Sequence, residues 1–208
     1  MNLFPLVLSS PSGGGKTAIK NLLLKSDIFG FSITATTRPK REDEVNGRDY
    51  FFLSDIDFDK MVENNEFIEW ANVHNYRYGT PKKSVMSLME KGKIPIMTID
   101  VVGAMNIKKI IPESLLIFVI PPKPSMLIER LKNRGEAESE IEIRMKTALK
   151  EINFAYKFDY IVINNDLQDC VNDIVSIVKS ELKKTSRNLG LLDDFKSKME
   201  KSPDGGPK

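Results

Sequence analysis

The chain has 208 residues, 41% of them hydrophobic and 29% charged, enough for one compact domain with a sizeable core and unlike a disulfide-stapled mini-protein or a disordered polyelectrolyte. Thirty-one Lys and Arg against 29 Asp and Glu leave a net charge of +2, so bulk electrostatics selects neither nucleic acid nor a membrane surface, and any basic site must be local. The single cysteine, Cys170, can form no internal disulfide, the usual economy of a reducing compartment, and a cytoplasmic location is the expectation.

In chain order, an apolar run over residues 3–9 opens the sequence. It follows no basic segment and is shorter than a secretory h-region, so it reads as a buried strand. The spacing predicts helices over 16–25, 82–91, 102–110, 125–134, 140–156 and 167–184, with Asp166 as the N-cap of the last. Between them, short apolar runs at 94–99, Leu115–Ile120 and 160–164 suit buried parallel strands. The longest run ends at Pro121-Pro122, well short of the ~18 residues a membrane span needs. The alternation predicts an α/β fold with a parallel sheet flanked by helices.

Two stretches break the alternation. Residues 34–81 carry paired basic residues, aromatics and β-like runs at 49–53 and 66–73, as a small inserted subdomain would. Residues 123–150 hold seven Lys or Arg, with Arg130, Arg134 and Arg144 on two helices joined near Gly135. From Thr185 onward mixed charge and the ending Ser202-Pro203-Asp204-Gly205-Gly206-Pro207 predict a flexible tail. The lone His74 has no sequence partner that would make it a base or a ligand.

The most informative segment is Ser9-Ser10-Pro11-Ser12-Gly13-Gly14-Gly15-Lys16-Thr17, between the first strand and the first helix. Glycines let backbone N–H groups turn around phosphate oxygens, the helix N-terminus adds a positive dipole end, and a Lys ammonium reaches the β- and γ-phosphates. This is a P-loop in which Ser10 stands at the first glycine of G-x-x-x-x-G-K-[ST], so Ser10 must tolerate the backbone angle that glycine supplies. Ser10, Pro11, Ser12, Gly13, Gly14, Gly15, Lys16 and Thr17 are the expected residues for a nucleoside triphosphate, with the Thr17 hydroxyl offered to Mg²⁺, in a loop that GTPases, ATPases, kinases and motors share.

Together with Thr36-Thr37-Arg38-Pro39-Lys40-Arg41, Glu44-Val45-Asn46-Gly47-Arg48-Asp49-Tyr50-Phe51-Phe52, Asn65-Glu66-Phe67-Ile68-Glu69-Trp70-Ala71 and Tyr78-Gly79-Thr80, this loop gives the chain a close resemblance to the guanylate kinase family, over residues 3–184. The resemblance implies a P-loop kinase fold with a core (1–33, 82–122 and 151–184), a GMP-binding insert (about 34–81) and a helical lid (about 123–150), followed by the tail 185–208. It implies transfer of the γ-phosphoryl group of MgATP to GMP, and to dGMP, with no nucleic-acid or membrane partner and a monomer or homodimer.

The residues suit that chemistry. Arg38, Arg41, Tyr50 and Tyr78 offer two guanidinium forks and two phenols to a dianionic phosphate. Glu69 and Asp100 are carboxylates that can accept from the N1–H and N2–H₂ donors of guanine, with Thr34 and Thr80 completing the base edge. Arg130, Arg134 and Arg144 match the family's lid arginines, and Asn164 or Asn165 the turn bordering adenine. Lys16, Arg41, Arg130 and Arg144 are the expected catalytic groups, stabilising charge on the transferring phosphoryl. Thr98 and Val102 depart from the family, which usually has an acidic residue and a glutamine there. Two other readings share many of these residues: a non-catalytic guanylate-kinase-like binding module, and a P-loop kinase for another phosphorylated small molecule.

Overall fold

The structure is a computed structural model and describes residues 3–73, 75–133 and 135–201; His74, Arg134 and the ending 202–208 lie outside the described residues. From the N-terminus the elements are β1 (Leu6–Ser9), α1 (Lys16–Leu23), β2 (Phe29–Phe31), β3 (Ala35–Thr36), β4 (Phe51–Phe52), α2 (Asp55–Glu63), β5 (Phe67–Val73) and β6 (Tyr76–Pro81). They continue with α3 (Lys82–Glu90), β7 (Ile94–Thr98), α4 (Val101–Ile110), β8 (Leu115–Ile120), α5 (Ser125–Lys132), α6 (Glu138–Ala155), β9 (Tyr160–Ile163), α7 (Leu167–Leu182) and α8 (Leu189–Lys201).

Five strands form a parallel sheet in the order β2-β7-β1-β8-β9. The first strand starts at Leu6 rather than Leu3; Pro5, just before it, has no N–H to give a ladder. Side-chain alternation sorts the strands onto two layers. Leu6, Leu8, Ile94, Ile96, Leu115, Ile117 and Val119 face one core with Ile19 and Leu23 of α1 and Cys170, Ile174 and Val178 of α7. Val7, Met97 and Leu116 face the other, with Val85 of α3 and Ala104 and Ile107 of α4. Phe118 joins Val101 and Ala155 under α6 on that same side. Because both of their faces are covered, β1, β7 and β8 are near-continuous apolar runs, which made them readable as buried parallel strands.

Four further strands form a second sheet in the order β4-β3-β6-β5. The helix α2 lies between its strands in sequence, and Phe58 of α2 packs with Ala35 and Phe67 beneath it. Neither α2 nor the short strand β2 follows from the apolar spacing. Within the tail, Thr185–Arg187 is a turn of 3-10 helix and Leu189–Lys201 is α-helical, elements the spacing does not predict. Arg187 fastens this segment, pairing with buried Glu181 at 3.2 Å and lying 4.0 Å from the Phe4 ring centroid.

Candidate active site

Neighbours of β1 lie on opposite sides, β7 on one and β8 on the other, so its C-terminal end is a switch point of the sheet, where α/β folds open a crevice. The loop Ser9 to Gly15 leaves β1 there. Its turn is closed by Gly14 N–H donating to Pro11 O at 2.9 Å. The left-handed backbone angles fall on Gly13 and Gly15, and Ser10 is not among the positive-φ residues. The expected strain at Ser10 is therefore absent, and its substitution acts through its side chain instead. Ser10 Oγ donates to Pro11 O at 3.0 Å, and a Cβ on Gly14 would approach Ser10 Oγ to 2.6 Å. The Lys16 ammonium folds back on the loop, donating to Ser10 O and, at 3.1 Å, to Ser10 Oγ. Thr17, in the first turn of α1, is exposed.

Three distant segments hold this loop. Arg130 of α5 donates to Gly13 O at 3.2 Å, and Arg144 of α6 donates to Ser12 Oγ at 2.8 Å while pairing with Glu136. Asn164, buried after β9, donates from Nδ2 to Gly14 O at 3.0 Å. Asn164 is thus turned into the loop, and Asn165 is the exposed member of the pair.

Beside the loop is a cleft of about 570 Å³, lined by Ser12, Lys16, Thr34, Arg38, Arg41, Tyr50, Glu69, Tyr78, Asp100 and Arg144 among others. Elements far apart in sequence supply them: the loop and α1, the segment around β3, strands β5 and β6, the end of β7, and α6. Thr80 is not on the cleft surface but stands opposite Glu69 in the β5–β6 ladder and donates to its Oε1 at 2.8 Å. The other Glu69 oxygen points toward Gly103, where a Cβ would lie 3.3 Å away. Burial, reinforced by the negative charge of Asp100, pushes the Glu69 carboxyl up to about 7, despite the Thr80 hydrogen bond. Asp100 also has a second task. Its Oδ1 accepts from Val102 N–H at 2.7 Å and Gly103 N–H at 3.1 Å, making it the N-cap of α4.

At the other end of the cleft, Arg38 pairs with Glu44 at 2.6 Å, and Glu44 also accepts from the Arg41 backbone N–H at 2.9 Å. The Tyr50 and Tyr78 rings meet edge to face, 6.1 Å apart, and Arg38 stands 5.4 Å from the Tyr50 centroid. Basic groups and phenols therefore gather at one end and the carboxylates of buried Glu69 and half-buried Asp100 at the other. A ligand carrying a phosphate and a donor-rich base would match both ends at once.

The guanylate kinase family profile matches residues 3–181. Curated relatives named guanylate kinase include one from Thermotoga maritima, 44% identical over 195 residues, covering 93% of this chain and 94% of that protein. Another, from Clostridioides difficile, is 41% identical and covers 93% of this chain and 96% of that protein. The chain belongs to the guanylate kinase family. A crystal structure of guanylate kinase from Anaplasma phagocytophilum matches with a TM-score of 0.78 at 32% identity, over 94% of both chains, and places the fold among the P-loop kinases.

Against the guanylate kinase pattern, Thr98 lies on the cleft wall at the end of β7, whereas Val102 is 48% exposed on the first turn of α4 and is absent from the cleft lining. Two carboxylates escaped the sequence reading. Glu44 sits inside a quoted motif, but only its ion pair reveals it as the group holding Arg38. Glu151 lies on the face of α6 that also carries Arg144 and Thr147 to the cleft, and burial raises its pKa, with Lys16 pulling against it and Asp100 adding to it. Its spacing of seven residues from Arg144 was the available signal.

Proposed function

We propose that the cleft catalyses in-line transfer of the γ-phosphoryl group of ATP to a phosphate oxygen of GMP, giving ADP and GDP, with the expected residues in the roles assigned from sequence. The observation that carries this reading is the meeting of Lys16 and Ser12 with Arg38, Arg41, Tyr50, Tyr78, Glu69 and Asp100 around one cavity. Arg38, Arg41, Tyr50 and Tyr78 take the GMP phosphate, and ligand phosphate displaces the Arg38–Glu44 pair. Glu69 and Asp100 accept from guanine N1–H and N2–H₂, while Thr80 orients Glu69 and Thr34 lines the base edge. AMP offers no matching donor set and would leave Glu69 with its Thr80 bond alone and Asp100 with its helix-cap bonds alone.

The attacking oxygen is already anionic, so no general base is needed. It forms a bond to the γ-phosphorus as the bond to the β–γ bridging oxygen breaks, and ADP leaves with that electron pair. Lys16, Arg41, Arg130 and Arg144 stabilise the charge spread over the transferring group, and Arg134 assists phosphate placement. The loop residues Ser10, Pro11, Ser12, Gly13, Gly14, Gly15 and Lys16 cradle the ATP phosphates. Asn164 supports the loop from the adenine side.

The donor set suits Mg²⁺ arriving with the nucleotide. Thr17 offers an exposed hydroxyl beside the loop, and among the described residues no group of three or more His, Cys, Asp or Glu could hold a metal by itself. Mg²⁺ held there with Thr17 would supply positive charge to the ATP phosphates. We place the GMP-binding part in the second sheet with α2, the closing lid in α5 and α6, and the enzyme in the cytoplasm; among the described residues no helix is long and apolar enough to cross a membrane. A coupled ADP-release assay with GMP, dGMP, AMP, UMP and CMP tests the reading: GMP and dGMP turn over, and preferred turnover of AMP, or of none, overturns it.

A further inference from the structure

An arginine that stabilises a transferring phosphoryl group must be aimed, because its long side chain otherwise spends most of its time elsewhere. Arg144, on α6, reaches the cleft with 41% of its side chain exposed, so packing alone does not aim it. Two groups do. Its Nη1 donates to Ser12 Oγ of the phosphate loop at 2.8 Å, and its Nε forms an ion pair with Glu136 Oε2 at 2.5 Å.

Glu136 is itself firmly placed. Gly135, at φ +78°, turns the chain after α5. Its N–H donates to Lys132 O at 2.8 Å and the Glu136 N–H to Leu131 O at 3.4 Å, the paired bonds of a Schellman ending. That fixes the Glu136 backbone just ahead of α6. The side chain is 15% exposed, and its Oε2 is buried with no hydrogen-bond donor among the described residues, so the Arg144 guanidinium is its counter-charge. A carboxylate oxygen covered in this way is costly to leave unpaired, which makes the pair persist.

The two partners of Arg144 belong to different parts of the molecule. Ser12 is in the core, whereas Glu136 lies in the proposed lid with Arg144 itself. A lid that swings away from the loop breaks the Ser12 bond and keeps the Glu136 pair, so closure delivers a guanidinium that is already turned. We propose that Glu136 is a positioning residue for Arg144, holding the guanidinium by Nε so that its terminal nitrogens face Ser12 and the transferring phosphoryl group. This role rests on the reading of Arg144 as a group that stabilises charge during transfer.

Steady-state kinetics on the full chain, arranged as a double-mutant cycle, test it. Arg144→Ala lowers kcat by about a hundredfold, the scale of a lost charge-stabilising donor. Glu136→Ala lowers kcat by about tenfold and leaves the KM for GMP within about twofold, the pattern of an interaction made only in the transition state. Glu136→Gln, of the same shape without the charge, moves kcat in the same direction. In the Arg144→Ala background Glu136→Ala has no further effect, since nothing remains to be aimed. Free guanidinium ion gives a second readout. At about 20 mM, far below the molar range that unfolds proteins, it restores part of the turnover of Arg144→Ala, and about tenfold less once Glu136→Ala is added, because the carboxylate gathers the free cation. Near-parental kcat in Glu136→Ala beside a crippled Arg144→Ala overturns the positioning role and leaves the kinase reading standing. Equal losses from Glu136→Ala with and without Arg144, or a guanidinium response that is the same with and without Glu136, overturn it as well, since either marks a merely structural residue. Normal turnover in Arg144→Ala removes the catalytic reading of Arg144 and the role of Glu136 with it.

Discussion

Lys16 and Glu69 show how much one side chain decides at each end of the cleft. Lys16 is the cation of the loop, held by Ser10, and Lys16→Ala removes charge where it develops during transfer. Turnover should fall below detection with an unchanged circular dichroism spectrum; a folded variant with near-normal turnover would sink the catalytic assignment. Glu69 sets a pH dependence. In its proposed role Glu69 accepts from guanine as the ionised carboxylate, and burial pushes that carboxyl up to about 7 in the free site. The KM for GMP should therefore be flat above pH 8 and rise as pH falls through 7, approaching about tenfold per unit, whereas Glu69→Gln should bind GMP weakly and lose the slope. For stability the sign reverses. A carboxyl whose folded pKa lies above its unfolded value stabilises the fold fully below the unfolded pKa, and that contribution is lost as pH climbs through about 7. The ligand-free melting temperature should decline over that window in the parent and decline less in Glu69→Gln.

Elements carry the next level, and the P-loop is the sharpest case. Gly14 has no Cβ because Ser10 Oγ occupies the space, 2.6 Å from where one would stand. Gly14→Ala should weaken ATP binding by at least about tenfold, the loss expected from displacing phosphate-positioning groups, and Ser10→Gly in the same chain should recover part of it, as read by calorimetry. Equal loss with and without Ser10→Gly would show that the two positions are not coupled. Helix α7 is fixed by Asp166, which accepts from Gln168 N–H at 2.8 Å and Asp169 N–H at 3.0 Å. Asp166→Ala should cost about 1 kcal/mol in urea unfolding, with kinase turnover unaltered. That cap was legible because capping is local, as were β1, β7 and β8, whose burial on both faces leaves an unbroken apolar run. The strand β2 was not: Gly30 interrupts Phe29 and Phe31, and it must, since a Cβ there would meet Leu88 Cδ2 at 2.3 Å. The role of Asn164 was equally hidden, because its partner Gly14 is 150 residues away. In α8 the signal was present, in the spacing of Leu189, Leu192, Phe195 and Met199, but mixed charge masked it.

Over the whole molecule, the site was legible as a set of residues and illegible as an arrangement. Motifs named Arg38, Tyr50, Glu69 and Tyr78, and the end of an apolar run named Asp100, while the order β2-β7-β1-β8-β9 that opens the crevice at β1 is a property of pairing between distant strands. The same arrangement explains how a net charge of +2 coexists with tight phosphate chemistry. Lys16, Arg38, Arg41 and Arg144 line one cleft with Glu69 and Asp100, the cations for the phosphates and the carboxylates for the base on the proposed reading, so the field is local rather than molecular. Salt screens such a field in a distinctive way. The Debye length shrinks from about 10 Å at 0.1 M to about 3 Å at 1 M, which weakens attraction for a dianion but leaves hydrogen bonds to a neutral base almost unchanged. Titrations of GMP and of guanosine over that range separate the two contributions. The dissociation constant of GMP should rise several-fold with salt, and that of guanosine should stay level. Parallel salt dependence of the two ligands would mean that the arginines do not bear on the phosphate, and flat behaviour of both would mean that the cleft binds GMP through its base alone.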